Sequence, residues 1–160
     1  MTNDMIDLAT RVGQALRARK LLLCTAESCT GGGVAQAATD IAGSSDWFDC
    51  GFVTYSNASK SAMLDVPPAL IEQRGAVSEE VAAAMAQGAL ANSNAQVALA
   101  TTGIAGPGGA APGKPVGTVC FAWSHAGATH TERRVFEGDR QAVREQSVLH
   151  ALAGVLRFVG

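Results

Sequence analysis

Aromatic residues and charge are both scarce in this chain. Phe, Trp and Tyr together make 5% of the 160 residues, and Asp, Glu, Lys and Arg make 16%, with a formal net charge of −2. The twelve basic residues are scattered rather than clustered, which argues against a nucleic-acid footprint. No apolar stretch approaches the roughly 18 residues of a membrane span. The first twenty residues are mixed polar and charged, without the apolar segment of a secretory signal. Cys24, Cys29, Cys50 and Cys120 form no C-x-x-C pair, and His125, His130 and His150 fall in no metal-ligand spacing. The cysteines read as small reduced hydrophobes, and nothing calls for a metal or an organic cofactor. These absences point to a cytoplasmic protein without a membrane or nucleic-acid partner. What is abundant is apolar residues, at 48%, and 18 glycines. A chain of this length fits one domain, spanning 1–160, that buries roughly two-thirds of its unfolded surface.

The stretch that organises the rest is Leu21–Gly33, LLLCTAESCTGGG. A short apolar run suits a buried strand. It ends in a polar cluster (Thr25, Glu27, Ser28, Thr30), then in Gly31, Gly32 and Gly33, and the residues after them suit a helix. Ser28 therefore falls at the carboxyl end of a strand, the edge where open α/β sheets bind ligands. Backbone N–H groups at the following helix start would favour an anion or a developing oxyanion. A serine in such a place can also be a simple N-cap.

Before this stretch, Met5, Leu8, Val12 and Leu16 recur at helical spacing. Beyond it, Trp47–Tyr55 is aromatic and β-branched and reads as a second strand. Ser56–Lys60 opens a short helix towards Leu64, Pro67 and Pro68 break it, and another turn of helix ends near Gly75. Ser78 caps a helix that closes near Asn92. Gln96–Thr101 is a further strand, running into a second glycine loop over 102–115. Val116–Ser124 and Thr129–Phe136 form a hairpin, and Asp139 caps a long last helix. The order α-β-α-β-α-α-β-β-β-α predicts a three-layer α/β/α sandwich with a mixed, mostly parallel sheet and a C-terminal antiparallel hairpin.

Two strands ending in glycine loops on one sheet edge suggest a small-molecule pocket. Familiar motifs fail there. Gly108–Lys114 spells G-x-x-x-x-G-K, but Pro115 replaces the hydroxyl residue and no helix follows. Ser28 lies in A-E-S-C-T, not in a hydrolase elbow, and no Asp–His pair accompanies it. Cys29 is an alternative nucleophile with nothing evident to make it a thiolate. A nucleophilic Ser28 needs a base other than histidine. Tyr55, at the end of the second strand, and Lys60, one turn into the next helix, can both reach its edge. A desolvated lysine can accept a serine proton, and a tyrosine can relay it.

The blocks TAESCTGG (25–32), GFVTYSNASK (51–60), GAVSEEVA (75–82), TGIAGPGG (102–109), GKPVGTV (113–119) and FEGDRQAVR (136–144) occur in this order over almost the whole chain. Together they resemble the CinA C-terminal domain family, whose stand-alone members are nicotinamide-nucleotide amidases. The resemblance implies hydrolysis of the carboxamide of nicotinamide mononucleotide to nicotinic acid mononucleotide and ammonia. It carries the family's nucleophile onto Ser28 and its tyrosine and lysine onto Tyr55 and Lys60. Thr30, Gly31, Gly32, Thr102, Gly103 and Arg144 become substrate-binding positions. Arg144 suits the 5′-phosphate because a guanidinium forks onto phosphate oxygens, with Lys114 and Arg140 in reserve. A homodimer also fits the family. The similarity does not extend to the large N-terminal domain of full-length CinA proteins, so its pyrophosphatase activity is not implied. A non-catalytic nucleotide-binding or protein-interaction domain is the competing reading.

Overall fold

The computed structural model describes residues 3–159, so the outermost residues of the 1–160 domain lie outside it. Five strands form one sheet in the order β2-β1-β3-β4-β5. They are β1 (Leu23–Glu27), β2 (Phe48–Val53), β3 (Val97–Gly103), β4 (Thr118–His125) and β5 (Ala128–Val135). β1 runs parallel to both β2 and β3, while β4 and β5 continue the sheet as an antiparallel hairpin.

Alternation along the inner strands separates large from small side chains. Leu23, Val97, Leu99, Val119, Phe121 and Trp123 face one layer, formed by α1 (Asn3–Ala18), α2 (Gly33–Thr39) and α6 (Arg140–Phe158). Cys24, Ala26, Ala98, Ala100, Cys120 and Ala122 face the other. Small side chains on that face let the alanine-rich α5 (Glu79–Ala91) lie close to the sheet, flanked by α3 (Asn57–Leu64) and α4 (Pro68–Arg74). Gly88 is needed where α5 meets the end of α3, because a Cβ there would lie 1.8 Å from the Leu64 carbonyl oxygen. The result is the three-layer α/β/α sandwich expected from the sequence.

Differences from the sequence reading are local. The stretch after Pro67 is a full helix, α4, with Pro68 at its first position, so the chain has one helix more than the predicted order. β1 starts two residues later than the apolar run, because Leu21 and Leu22 belong to the connection and Thr25–Glu27 to the strand. Ser56, Ser78 and Asp139 are N-caps, accepting from the amides of Ser59, Val81 and Ala142. No helix among the described residues is long and apolar enough to cross a membrane.

Candidate active site

The parallel neighbours β1 and β3 end side by side, which brings both glycine loops to one edge. Ser28 follows β1 directly, and its amide donates to the Thr101 carbonyl of β3 at 3.0 Å. On the other side, the Thr54 amide donates to the Glu27 carbonyl at 2.8 Å, extending the β1–β2 pairing by one bond past β2. The chain then turns into α3, whose first turn carries Lys60 back under the sheet edge.

Lys60 is 1% exposed. Its Nζ lies 3.0 Å from Ser28 Oγ, and it donates to the carbonyl oxygens of Thr54 at 3.0 Å and Tyr55 at 3.1 Å. Among the described residues no carboxylate pairs with it. Burial therefore holds its pKa below the ordinary 10.5, outweighing the opposing effect of Cys29. Neutral Lys60 keeps two N–H bonds and one lone pair. In the structure Nζ is the donor to Ser28 Oγ, and the Ser28 hydroxyl has the Tyr55 carbonyl as its own acceptor at 3.4 Å. In the neutral amine, with both N–H bonds on the carbonyls, the lone pair is what remains for Ser28 Oγ. A neutral amine so placed can act as a base towards the hydroxyl beside it.

Ser28, Lys60, Thr102 and Gly103 open onto one cavity of about 200 Å³. Tyr55 borders it too, but with its phenol turned outward. The side chain is 62% exposed and its hydroxyl accepts from Arg140 Nη2 at 3.1 Å. It is the Tyr55 carbonyl, not the phenol, that meets Lys60. Thr102 Oγ1 donates to the Ala76 carbonyl, tying the second glycine loop to the segment before α5. Arg140 closes the mouth, held by its bonds to Tyr55 and to the Gly106 carbonyl.

Thr30, Gly31, Gly32 and Arg144 lie elsewhere. The Thr30 hydroxyl donates to Glu27 Oε1 at 2.6 Å and lies 2.8 Å from Thr101 Oγ1, so it is fully engaged inside the protein. Arg144 donates to the carbonyls of Cys29 (3.2 Å) and Thr30 (3.4 Å), bracing the Ser28 loop from behind. Thr30 and Arg144 border a separate cavity of about 270 Å³ between α1, α2 and α6. Gly31 adopts φ +61°, and a Cβ there would come 3.2 Å from Arg144 Nη2, so the position favours glycine. Lys114 is also away from Ser28, donating to the Arg74 carbonyl.

The expected anion site at the start of α2 is filled from within. The Val34 and Ala35 amides both donate to the Glu27 carboxylate, at 2.8 and 3.0 Å. In the loop itself, Gly31 and Gly33 amides turn back onto the Ser28 and Thr30 carbonyls, while among the described residues no backbone carbonyl accepts from the Cys29 or Thr30 amides. The Cys29 thiol is pushed up to about 12 by burial, so it is protonated near neutrality and poorly suited as the nucleophile. No group of three or more His, Cys, Asp or Glu among the described residues is placed to hold a metal ion.

The sequence and the fold are matched among known proteins. The model of the CinA C-terminal domain family matches residues 5–159. The chain belongs to that family. It is 55% identical over 151 residues to the nicotinamide-nucleotide amidohydrolase PncC of Pseudomonas putida, covering 94% of each chain. It is 52% identical to the PncC of Escherichia coli K12, over 94% of this chain and 92% of that one. Among solved structures, the competence/damage inducible protein CihA of Agrobacterium tumefaciens superposes with a TM-score of 0.95. The two are 42% identical, over 98% of this chain and 96% of the other.

Sequence reasoning missed the Thr54 and Tyr55 carbonyls and the role of Glu27, and it held Arg140 only in reserve behind Arg144. The carbonyls of Thr54 and Tyr55 leave no trace in residue types. Arg140 lies one helical turn from Arg144, and only the packing of α6 decides which of them reaches the cavity. Glu27 had a visible signal, a carboxylate at the end of a buried strand, but its partners lie ahead of it in the loop and helix.

Proposed function

We propose that this chain is a nicotinamide-nucleotide amidohydrolase, converting nicotinamide mononucleotide and water to nicotinic acid mononucleotide and ammonia. The observation that carries the mechanism is the buried, unpaired Lys60 amine at 3.0 Å from Ser28 Oγ. Ser28 Oγ attacks the carboxamide carbon as its proton passes to Lys60 Nζ. The oxyanion is held by amides of the loop after Ser28, where one well-placed donor is worth about 3–4 kcal/mol of barrier. The Lys60 ammonium then gives its proton to the departing nitrogen, ammonia leaves, and a nicotinoyl ester remains on Ser28. Water attacks that ester with Lys60 again as base, releasing the carboxylate and restoring the serine.

A cavity of about 200 Å³ suits the pyridine ring and its amide, leaving ribose and phosphate towards the mouth. There Arg140, steadied by the Tyr55 phenol, is the cation we assign to the 5′-phosphate. Arg144 instead supports the loop. The reading has the enzyme working in the cytoplasm, as a homodimer, on a free small molecule, with no metal or organic cofactor in the chemistry.

The test is ammonia release from nicotinamide mononucleotide by wild type and by Ser28→Ala, with a chelator present. Release by wild type alone is expected. Equal release by both removes Ser28 as nucleophile, and release by neither, with the nucleotide still bound, turns the domain into a binding module.

A further inference from the structure

Glu27 has no part in the chemistry above, yet it is wholly buried beside the nucleophile. Among the described residues it forms no ion pair. Its charge is met by hydrogen bonds alone: Thr30 Oγ1 and the Val34 amide on Oε1, and the Ala35 amide on Oε2. Burying a carboxylate without a cation is costly. Gly32, at the N-cap position of the seven-residue α2, is left-handed at φ +97° and offers no side-chain cap, so the Glu27 carboxylate takes the amides that a cap would.

What distinguishes Glu27 is that it joins both halves of the reacting pair. Its side chain reaches forward to Thr30, two residues past Ser28, and through the Thr30 hydroxyl to Thr101 on β3. Its own carbonyl accepts from Thr54, the residue whose carbonyl in turn accepts from Lys60. The loop carrying Ser28 and the turn carrying the lysine's acceptors are thus anchored on one residue.

We infer that Glu27 is a positioning residue, whose carboxylate fixes the Ser28–Gly33 loop so that Ser28 Oγ stays on the Lys60 lone pair. This rests on the reading of Ser28 and Lys60 as the reacting pair. Both carboxylate oxygens face only donors, so glutamine turns an NH₂ group against a donor at one of them. Aspartate is one methylene too short to keep all three bonds. The pKa of Lys60 is set by its burial and by Cys29, so Glu27 acts on placement and not on the proton.

The experiment compares wild type with Glu27→Gln, Thr30→Val and Thr30→Ser in ammonia release from nicotinamide mononucleotide, as kcat, KM and pH profile. Displacing a reacting group by a fraction of an ångström costs on the order of 10–100-fold. Glu27→Gln is expected to lower kcat by that factor, with KM within about twofold and the pH midpoint unmoved. Thr30→Val should lower kcat and Thr30→Ser restore it. An unchanged kcat in Glu27→Gln, a shifted midpoint, or no recovery in Thr30→Ser overturns the inference. If Glu27→Gln does not fold, by its thermal transition, the Thr30 pair decides.

Labelling of Ser28 by a fluorophosphonate is measured alongside, because it needs the Ser28–Lys60 pair but not the nucleotide. A wild type that is labelled yet releases no ammonia ends the amidase reading alone. The Glu27 inference then holds if Glu27→Gln labels more slowly, and fails if the rates are equal. A wild type neither labelled nor active overturns both.

Discussion

Replacing Lys60 by methionine separates catalysis from stability. Methionine replaces the apolar stem as far as Cε, so most of the space under the sheet edge stays filled. What is lost is the nitrogen, 3.0 Å from Ser28 Oγ and from the Thr54 carbonyl. Each buried carbonyl left without a donor costs about 1–3 kcal/mol. Against this, an amine whose charged form is disfavoured by several kcal/mol of desolvation is no longer buried. The two effects oppose each other, and the net change in stability should stay within about 2 kcal/mol in either direction. Activity has no such compensation. A positioned general base contributes about 10²–10⁴-fold, or roughly 3–5 kcal/mol of barrier. The pH profile carries a second signature. Because burial lowers the Lys60 pKa, the neutral, base-competent amine gains population as pH rises, with a midpoint below 10.5. Wild-type kcat/KM should therefore climb through that midpoint, and in Lys60→Met the climb should vanish. Ammonia release across pH, with urea unfolding of both proteins, is the assay. A loss under tenfold, or a variant that keeps the alkaline climb, would refute Lys60 as the base.

Other perturbations have separate outcomes. Tyr55→Phe removes the acceptor of Arg140 Nη2 while leaving the Tyr55 carbonyl on Lys60, so KM for the nucleotide should rise and kcat fall far less than in Lys60→Met. A kcat loss matching Lys60→Met would return the proton relay to the phenol. Arg140→Ala should raise KM for nicotinamide mononucleotide and leave KM for the riboside, which lacks the phosphate, unchanged. An equal effect on both would remove the phosphate contact. Acid should destabilise the fold through the β5–α6 contact. The Arg157 guanidinium, with His150, holds Glu132 down to about 2 from 4.5, so that stabilisation is present above 4.5 and lost as pH falls towards 2. Burial lowers the His150 pKa below 6.5, so its contribution is also lost on acidification. Urea midpoints should fall steadily from pH 7 to 3, and Glu132→Gln should flatten the lower part. Gly154→Ala puts a Cβ 2.0 Å from Trp123 Cε2, forcing the indole off its 2.8 Å bond to the Ala151 carbonyl. Overpacking and the lost bond should cost about 2–5 kcal/mol in urea unfolding, and a change under 1 kcal/mol would mean that the helix yields instead.

Much of this was legible in the chain because the signals are local. A run of apolar residues broken by a polar cluster and glycines marks β1, its loop and α2, and so places Ser28. The six-residue interval from Tyr55 to Lys60 is one strand end and one helical turn, which places the lysine on the same edge. What was not legible depends on direction. The alternation that fixes which way a strand residue points stops at Val53, so the outward turn of the Tyr55 phenol is set by the entry into α3. Arg140 and Arg144 share a helix face, and only the seating of α6 against the Ser28 loop sends one to the cavity and the other to the Cys29 and Thr30 carbonyls. Glu27 belongs to the same class. Its partners are backbone amides of a helix that no side-chain pattern connects to it.

The two acceptors that orient Lys60 are peptide carbonyls, and this affects how such a site tolerates change. No substitution at 54 or 55, proline included, deletes a carbonyl oxygen, so side chains there can drift while the lysine keeps its partners. Lys60 is aligned by the hydrogen-bonded course of the chain leaving β2, a property of the backbone that a single codon change rarely reaches. Its weak point is correspondingly mechanical. An insertion or deletion between Val53 and Asn57 would rotate both carbonyls away at once, disabling the amine while Ser28 and Lys60 themselves stay intact.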